Sequence, residues 1–258
     1  MKTLAVITVI ITVFLAFNIS ASAQYLSKWL QPPNCVDGYN NESYNDTVNY
    51  IIIADDFRCN DPRPISRIRF WGSFEGWNED NPDVDLPPPE TAFLPESFDI
   101  SWHTYTHPEG EYSRPAELIR VDAAPYGEPV WYCSHEQWDM PGLYEHEYYF
   151  DIYLEGELEP FPQIEGEYYF INIVANYLSV DPFYVWGWKN TEDHWNDDAV
   201  ISYDEGISWQ ELTWPQDHRL EGQSMDMAFE LYVKLTPTPS ATPPGGMTPT
   251  LTPTPTPS

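Results

Sequence analysis

Basic residues are scarce in this chain of 258: 11 Lys and Arg stand against 41 Asp and Glu, for a formal net charge of −30. A surface this negative repels phosphate backbones and anionic headgroups, which argues against unaided nucleic-acid or membrane-surface binding. Cysteine is scarcer still. Cys35, Cys59 and Cys133 include no C-x-x-C pair, so a thiolate zinc site is not expected. Amphipathic helical stretches between strands are missing, which disfavours a parallel α/β sheet. Neither a G-x-S-x-G elbow nor an H-E-x-x-H helix occurs.

What is present is enough apolar matter for a core. The chain is 42% hydrophobic and 16% aromatic, which excludes a disordered acidic tail. Residues 1–23 have the parts of a secretory signal: Lys2, an apolar run over 4–17, and the small-residue box Ala21-Ser22-Ala23 before Gln24. The expectation is a secreted protein, extracellular or at the cell surface, with no membrane insertion after cleavage, because no other stretch is apolar enough to span a bilayer. Residues 236–258 hold eight prolines and no charge, so they read as a stiff Thr/Pro spacer. That spacer either leads to a further module or is itself an attachment point through its threonines. Between them, residues 24–235 form one expected domain.

The hydrophobic period in that domain is two. Phe98, Ile100 and Trp102 alternate with Asp99, Ser101 and His103; Met227, Phe229, Leu231 and Val233 share one face while Asp226, Glu230 and Lys234 take the other. Eleven such segments, separated by Gly, Pro, Asn and Asp clusters, predict an all-β, antiparallel two-sheet sandwich of jelly-roll character. The segment 167–175 is apolar on both faces and belongs in the centre of a sheet. The acidic, proline-containing stretch 77–96 reads as an exposed loop. In an oxidising compartment three cysteines leave one unpaired; Cys35 with Cys59 closes the shortest loop and is preferred over pairings with Cys133, although connectivity does not follow from sequence.

Asp55-Asp56 and Asn196-Asp197-Asp198 are the metal candidates, with Ca2+ the expected ion because it takes six to eight oxygens in general. Adjacent strand residues face opposite ways, so only one Asp of each pair reaches a shared ion unless the chain turns there. Turn hydrogen bonding without any ion is the competing reading. Tyr149 and Tyr153, on one face with Glu147 and Asp151, and Trp186, Trp188 and Trp195 form a candidate sugar platform, since flat rings flanked by carboxylates suit polysaccharide. Burial in a core is the competing reading for these rings. With 41 acids some pair always meets the spacing for glycoside hydrolysis, so that spacing marks no active site. His103 and His107 are four apart on a strand, with no third ligand in view.

Several phrases resemble a family of uncharacterised secreted bacterial domains. They are Lys28-Trp29-Leu30-Gln31-Pro32-Pro33, Ala54-Asp55-Asp56-Phe57 with Cys59, and Phe70-Trp71-Gly72-Ser73-Phe74, followed by Tyr112-Ser113-Arg114-Pro115, Gly187-Trp188-Lys189, His194-Trp195-Asn196-Asp197-Asp198-Ala199-Val200 and Asp226-Met227-Ala228-Phe229. The resemblance implies a bacterial extracellular β-rich module, often joined to Pro/Thr linkers, and carries no established activity or catalytic residues. Ser101-Trp102-His103 departs from a Ser-Ile-His phrase in similar chains. The functional expectation is a non-catalytic module that binds polysaccharide or another cell-envelope component. A structural surface domain without a small ligand comes next, and a glycoside-active hydrolase last.

Overall fold

Two seven-stranded sheets face each other in a computed structural model that describes residues 24–77, 87–179 and 181–235. The signal segment 1–23, the tail 236–258 and residues 78–86 of the acidic loop lie outside the described residues. The strands are β1 (Gln24–Gln31), β2 (Asn40–Glu42), β3 (Tyr44–Asn45), β4 (Tyr50–Arg58), β5 (Ile65–Phe74), β6 (Ser97–Thr106) and β7 (Arg114–Ala124). Then come β8 (Val130–Glu136), β9 (Tyr144–Tyr153), β10 (Tyr168–Asn176), β11 (Trp186–Lys189), β12 (Val200–Ser202), β13 (Gln210–Glu211) and β14 (Phe229–Leu235). One turn of 3-10 helix, Thr91–Phe93, is the only helical element among the described residues, and none is long and apolar enough to cross a membrane.

The first sheet runs β1-β14-β5-β11-β2, with β9 pairing β5 and β8 beyond it. The second runs β13-β12-β4-β3-β10-β6-β7, with β4 and β10 also paired directly. The two-residue contact of β3 with β10 is parallel, whereas β10 pairs β4 and β6 antiparallel, and β5 pairs β14, β11 and β9 antiparallel. The all-β, two-sheet reading therefore holds. As expected, β10 is central, held between β4 and β6, and its Tyr169, Ile171, Ile173 and Ala175 enter the main core.

Alternation along the strands decides what lies between the sheets. Phe98, Ile100 and Trp102 of β6 are fully buried, and Phe98 meets Phe70 of β5 at 4.9 Å, Phe150 of β9 at 5.1 Å and Trp186 of β11 at 4.9 Å between ring centroids. Rings from four strands of two sheets thus share one contact. Such aromatic pairs add to burial energy through edge-to-face geometry. Phe57 of β4 reaches Phe229 of β14 in the same way. Gly72 is required by close approach: a Cβ there would lie 2.3 Å from the Gly187 carbonyl and 2.4 Å from Trp186 Nε1.

The disulfide joins Cys35 to Cys133, and Cys59 is buried and unpaired. This corrects the shortest-loop expectation of Cys35 with Cys59. The reason is topological. Cys59 follows β4 of the second sheet and sits in the core, while Cys133 lies on β8, in the same sheet as the β1 and β2 strands that flank Cys35. Loop length along the chain does not register which sheet a strand joins.

Candidate metal centre

Asp55 and Asp56 stand in the middle of β4, opposite Ile171 and Phe170 of β10. Being adjacent in a strand, they point to opposite faces. Asp55 is the satisfied member. Its Oδ1 accepts the Asp56 amide at 2.7 Å and its Oδ2 the Met227 amide at 2.7 Å. The Gln31 amide, oriented with its nitrogen toward acceptors, donates to Asp55 Oδ2 at 3.0 Å and to the Met227 carbonyl at 2.7 Å.

Asp56 is different. Its carboxylate is fully buried; Oδ1 accepts the Asn196 amide at 3.1 Å, and Oδ2 has no hydrogen-bond partner. Asp226 shows the same division: Oδ2 accepts the Trp195 amide at 2.5 Å, while buried Oδ1 has none. Unsatisfied buried oxygens cost about 1–3 kcal/mol each, more when charged, and are rare in folded proteins.

The third wall comes from residues 194–198. Asn196 adopts a left-handed backbone, φ 66°, a conformation asparagine tolerates better than most residues. That turn breaks strand alternation, so Asp197 and Asp198 both act electrostatically on Asp56 and on Asp226. Asp197 Oδ2 accepts the Ser113 amide at 2.8 Å and faces His107 at 3.6 Å. His194 Nδ1 lies 3.4 Å from Asp198 Oδ1, and His194, Asp198 and Asp226 each place a ligand atom within 4.8 Å of the others.

Asp56, Asp197, Asp198 and Asp226 therefore act on one another from one side, with Asp55 behind them on the other face of β4, and among the described residues no Lys or Arg forms an ion pair with any of the five. Burial, reinforced by neighbouring carboxylates, pushes Asp56 and Asp226 up to about 8. Asp55 is raised well above the usual carboxylate range, by burial first and then by Asp226 and Asp56. Without a cation such groups keep protons at neutral pH. The donors are carboxylate oxygens with one imidazole and no thiolate, a set that suits a hard divalent ion better than zinc. Asp198 and His194 are partly exposed, giving an ion a route from solvent.

The sequence profile described as domain of unknown function (DUF7901) matches residues 27–232. The chain belongs to that family. No curated protein and no solved structure matches it. Every residue of the carboxylate centre lies inside the matched stretch of this DUF7901 domain.

Three members of the centre escaped sequence reasoning. Alternation puts Asp226 on a polar strand face, yet it is buried, because β14 begins only at Phe229 and Asp226 belongs to the extended segment before it, between the bridged residues Ser224 and Met227. Gln31 and His194 carried no metal signal of their own. The usable clue was that Asp226 and His194 stand in the phrases Asp226-Met227-Ala228-Phe229 and His194-Trp195-Asn196-Asp197-Asp198.

The sugar platform is not assembled in the DUF7901 domain. Trp186 and Trp188 are fully buried in the core, Trp188 donating its indole N–H to the Ala228 carbonyl at 2.9 Å. Alternation with Gly187 placed them on one face, and that face is the inner one. Trp195 packs edge-on against Trp29 at 5.9 Å beside the carboxylate centre. Tyr149 and Tyr153 do lie on the outer face, but the Arg69 guanidinium covers Tyr149 at 3.9 Å and Arg67 lies 5.4 Å from the Tyr153 ring. Both arginines fork onto Asp151. Of the histidines, burial lowers His103 to about 4 and it meets the Asn172 amide, so it does not join His107.

A second acidic cluster lies on β8, β9 and β11. His135, Glu145 and Glu147 surround the Lys189 ammonium, which is 2.8 Å from Glu147, 3.5 Å from Glu145 and 3.2 Å from His135 Nε2. Lys189 is fully buried. The Cys35–Cys133 disulfide ties the covering loop down there, where a Cβ on Gly38 would lie 2.6 Å from Lys189 Cε. His135 Nε2 donates to the Gly38 carbonyl at 3.1 Å, and burial followed by Lys189 lowers its pKa to about 4.

Proposed function

We propose that this DUF7901 domain is a secreted, non-catalytic interaction module whose sandwich is completed by a calcium ion at Asp56, Asp226, Asp198 and the 194–197 turn. The observation that carries this reading is the pair of buried carboxylate oxygens without partners, Asp56 Oδ2 and Asp226 Oδ1, in a cluster that no Lys or Arg among the described residues joins. Calcium supplies the missing charge, and its flexible coordination accepts carboxylates, an amide carbonyl and water together. The ion would fasten residues 191–198 and the extended segment before β14 to the middle of β4. This is structural metal binding that rigidifies the presented surface.

The surface so held is acidic, and it favours a neutral or basic cell-envelope component over nucleic acid. Residues 236–258 would act as the spacer that holds the module away from its anchor. The test uses the mature chain and isolated cell-wall polysaccharide. Retention is expected in calcium and is lost in chelator together with a drop in Tm. Retention in neither condition, or retention and Tm indifferent to chelation, contradicts the proposal.

A further inference from the structure

A cleft of about 420 Å3 opens between β2, the end of β5 and the β8–β9 hairpin, well inside the range of small-ligand pockets. Its charged lining is entirely acidic. Glu42, Glu75, Asp139 and Glu145 border it, and no Lys or Arg does. The four surround Tyr39, whose phenol is raised by burial and then by Glu145, Asp139, Glu42 and Glu75 in turn. Glu42 and Glu75 stand within hydrogen-bonding reach of each other, and Glu42 is raised by burial and by Glu75. Lys189 lies behind the wall and is nearer to Glu147 than to Glu145.

Two further acceptors in this lining have no donor. Gln137 is more than nine-tenths buried and its Oε1 has no hydrogen-bond partner; Asn40 gives both amide hydrogens to Glu145 and Glu147 and leaves its Oδ1 without one. Buried acceptors without donors ask for a ligand that brings donors. Tyr144 and Tyr203 add aromatic surface beside the carboxylates, a combination that suits a desolvated organic cation.

We infer that this cleft binds a primary ammonium or guanidinium group on a flexible aliphatic chain, seated among Glu42, Glu75, Asp139 and the Gln137 amide oxygen. The site is separate from the carboxylate centre on β4 and does not depend on the calcium reading. An ammonium has three donors and no acceptor, and a guanidinium has five, so either complements the four carboxylates and the two unpartnered amide oxygens. The same chemistry is carried by a free polyamine and by a lysine side chain of a partner protein.

The experiment is calorimetric titration of the mature chain, in excess calcium, with cadaverine, with agmatine, and with lysine capped at its backbone amine and carboxyl. A neutral diol of cadaverine's length is the control. Cadaverine or agmatine is expected to bind and the diol not to. Glu75→Gln and Asp139→Asn, both at exposed positions, should each weaken binding by roughly tenfold, the loss of one charge-assisted hydrogen bond. Glu157→Gln and Glu159→Gln remove the same charge outside the cleft and should leave binding within about twofold. Capped lysine binding as tightly as the diamine points to a partner's side chain; diamine binding alone points to a free amine. Equal binding of diol and diamine, no binding of any amine at millimolar concentration, or equal weakening by the two pairs of variants would overturn the inference.

Discussion

Two buried acidic clusters in one sandwich answer the same electrostatic problem differently. On the first sheet, Glu145, Glu147 and His135 enclose Lys189, and the chain supplies its own cation. At β4 of the second sheet, Asp56, joined by Asp226 from the segment before β14, faces Asp197, Asp198 and His194, and among the described residues no lysine or arginine forms an ion pair with them. Both clusters contain three or more groups placed as a metal site would be. Only one still lacks a counter-charge. A carboxylate geometry alone therefore does not identify an ion site, and neither does an unpartnered oxygen, since Glu147 Oε2 has no hydrogen-bond partner either; what separates the two clusters is the internal cation.

The largest expected effect breaks the self-sufficient cluster. Lys189→Met leaves Glu147 buried without its partner and should cost about 3–5 kcal/mol in urea denaturation. A companion Glu147→Leu should recover much of that loss, because replacing both partners of a buried pair by apolar groups is often close to neutral. Calcium should not rescue Lys189→Met.

Next comes chelation at the other cluster, where the proposal places calcium. At calcium a hundredfold above its Kd, chelation should lower stability by about 2.7 kcal/mol, read as a fall in Tm. In chelator, Asp226→Asn should be neutral or stabilising, since asparagine imitates the protonated acid. The same variant should show no rise in Tm when calcium is added.

The dependence on pH sharpens the contrast. Asp56 and Asp226 are raised to about 8 in the fold, so between the ordinary carboxylate range and pH 8 the native chain holds more protons than the unfolded one. In chelator, stability should therefore fall as pH rises from about 5 to 8. This sign is opposite to that of a salt-bridged carboxylate. Calcium bound as proposed would displace those protons, so the stabilisation it gives should grow over the same interval. The smallest effect is expected at the outer face of β9: Tyr153→Ala, at a half-exposed position, should change stability by no more than about 0.5 kcal/mol.

Much of the architecture was legible because strand alternation is a strong signal. Each of the eleven expected segments corresponds to a strand from β4 to β14. The strands β1, β2 and β3 were not anticipated: β2 and β3 are three and two residues long, and β1 reads Gln-Tyr-Leu-Ser-Lys-Trp-Leu-Gln with mixed exposure on both faces. The two aspartate pairs were visible as acids inside otherwise apolar segments. That they meet was not, because β4 and residues 194–198 are brought together by tertiary packing and by the turn at Asn196. Period two also placed Trp186 with Trp188 and Gly187 with Lys189. It gave no way to see that Lys189, the one charged side chain, would be as deeply buried as the tryptophans, since its counter-charges come from β9.

The central claim is that the β4 cluster takes a cation from outside while the β11 cluster does not. Calorimetric titration of the chelator-treated mature chain with calcium at pH 7, repeated in buffers of different ionisation enthalpy, measures both the ion and the protons it displaces. The account predicts saturable binding at one site with net proton release, abolished by Asp226→Asn and retained in Glu145→Gln. Absence of a binding heat, binding without proton release, or binding that survives Asp226→Asn would contradict it.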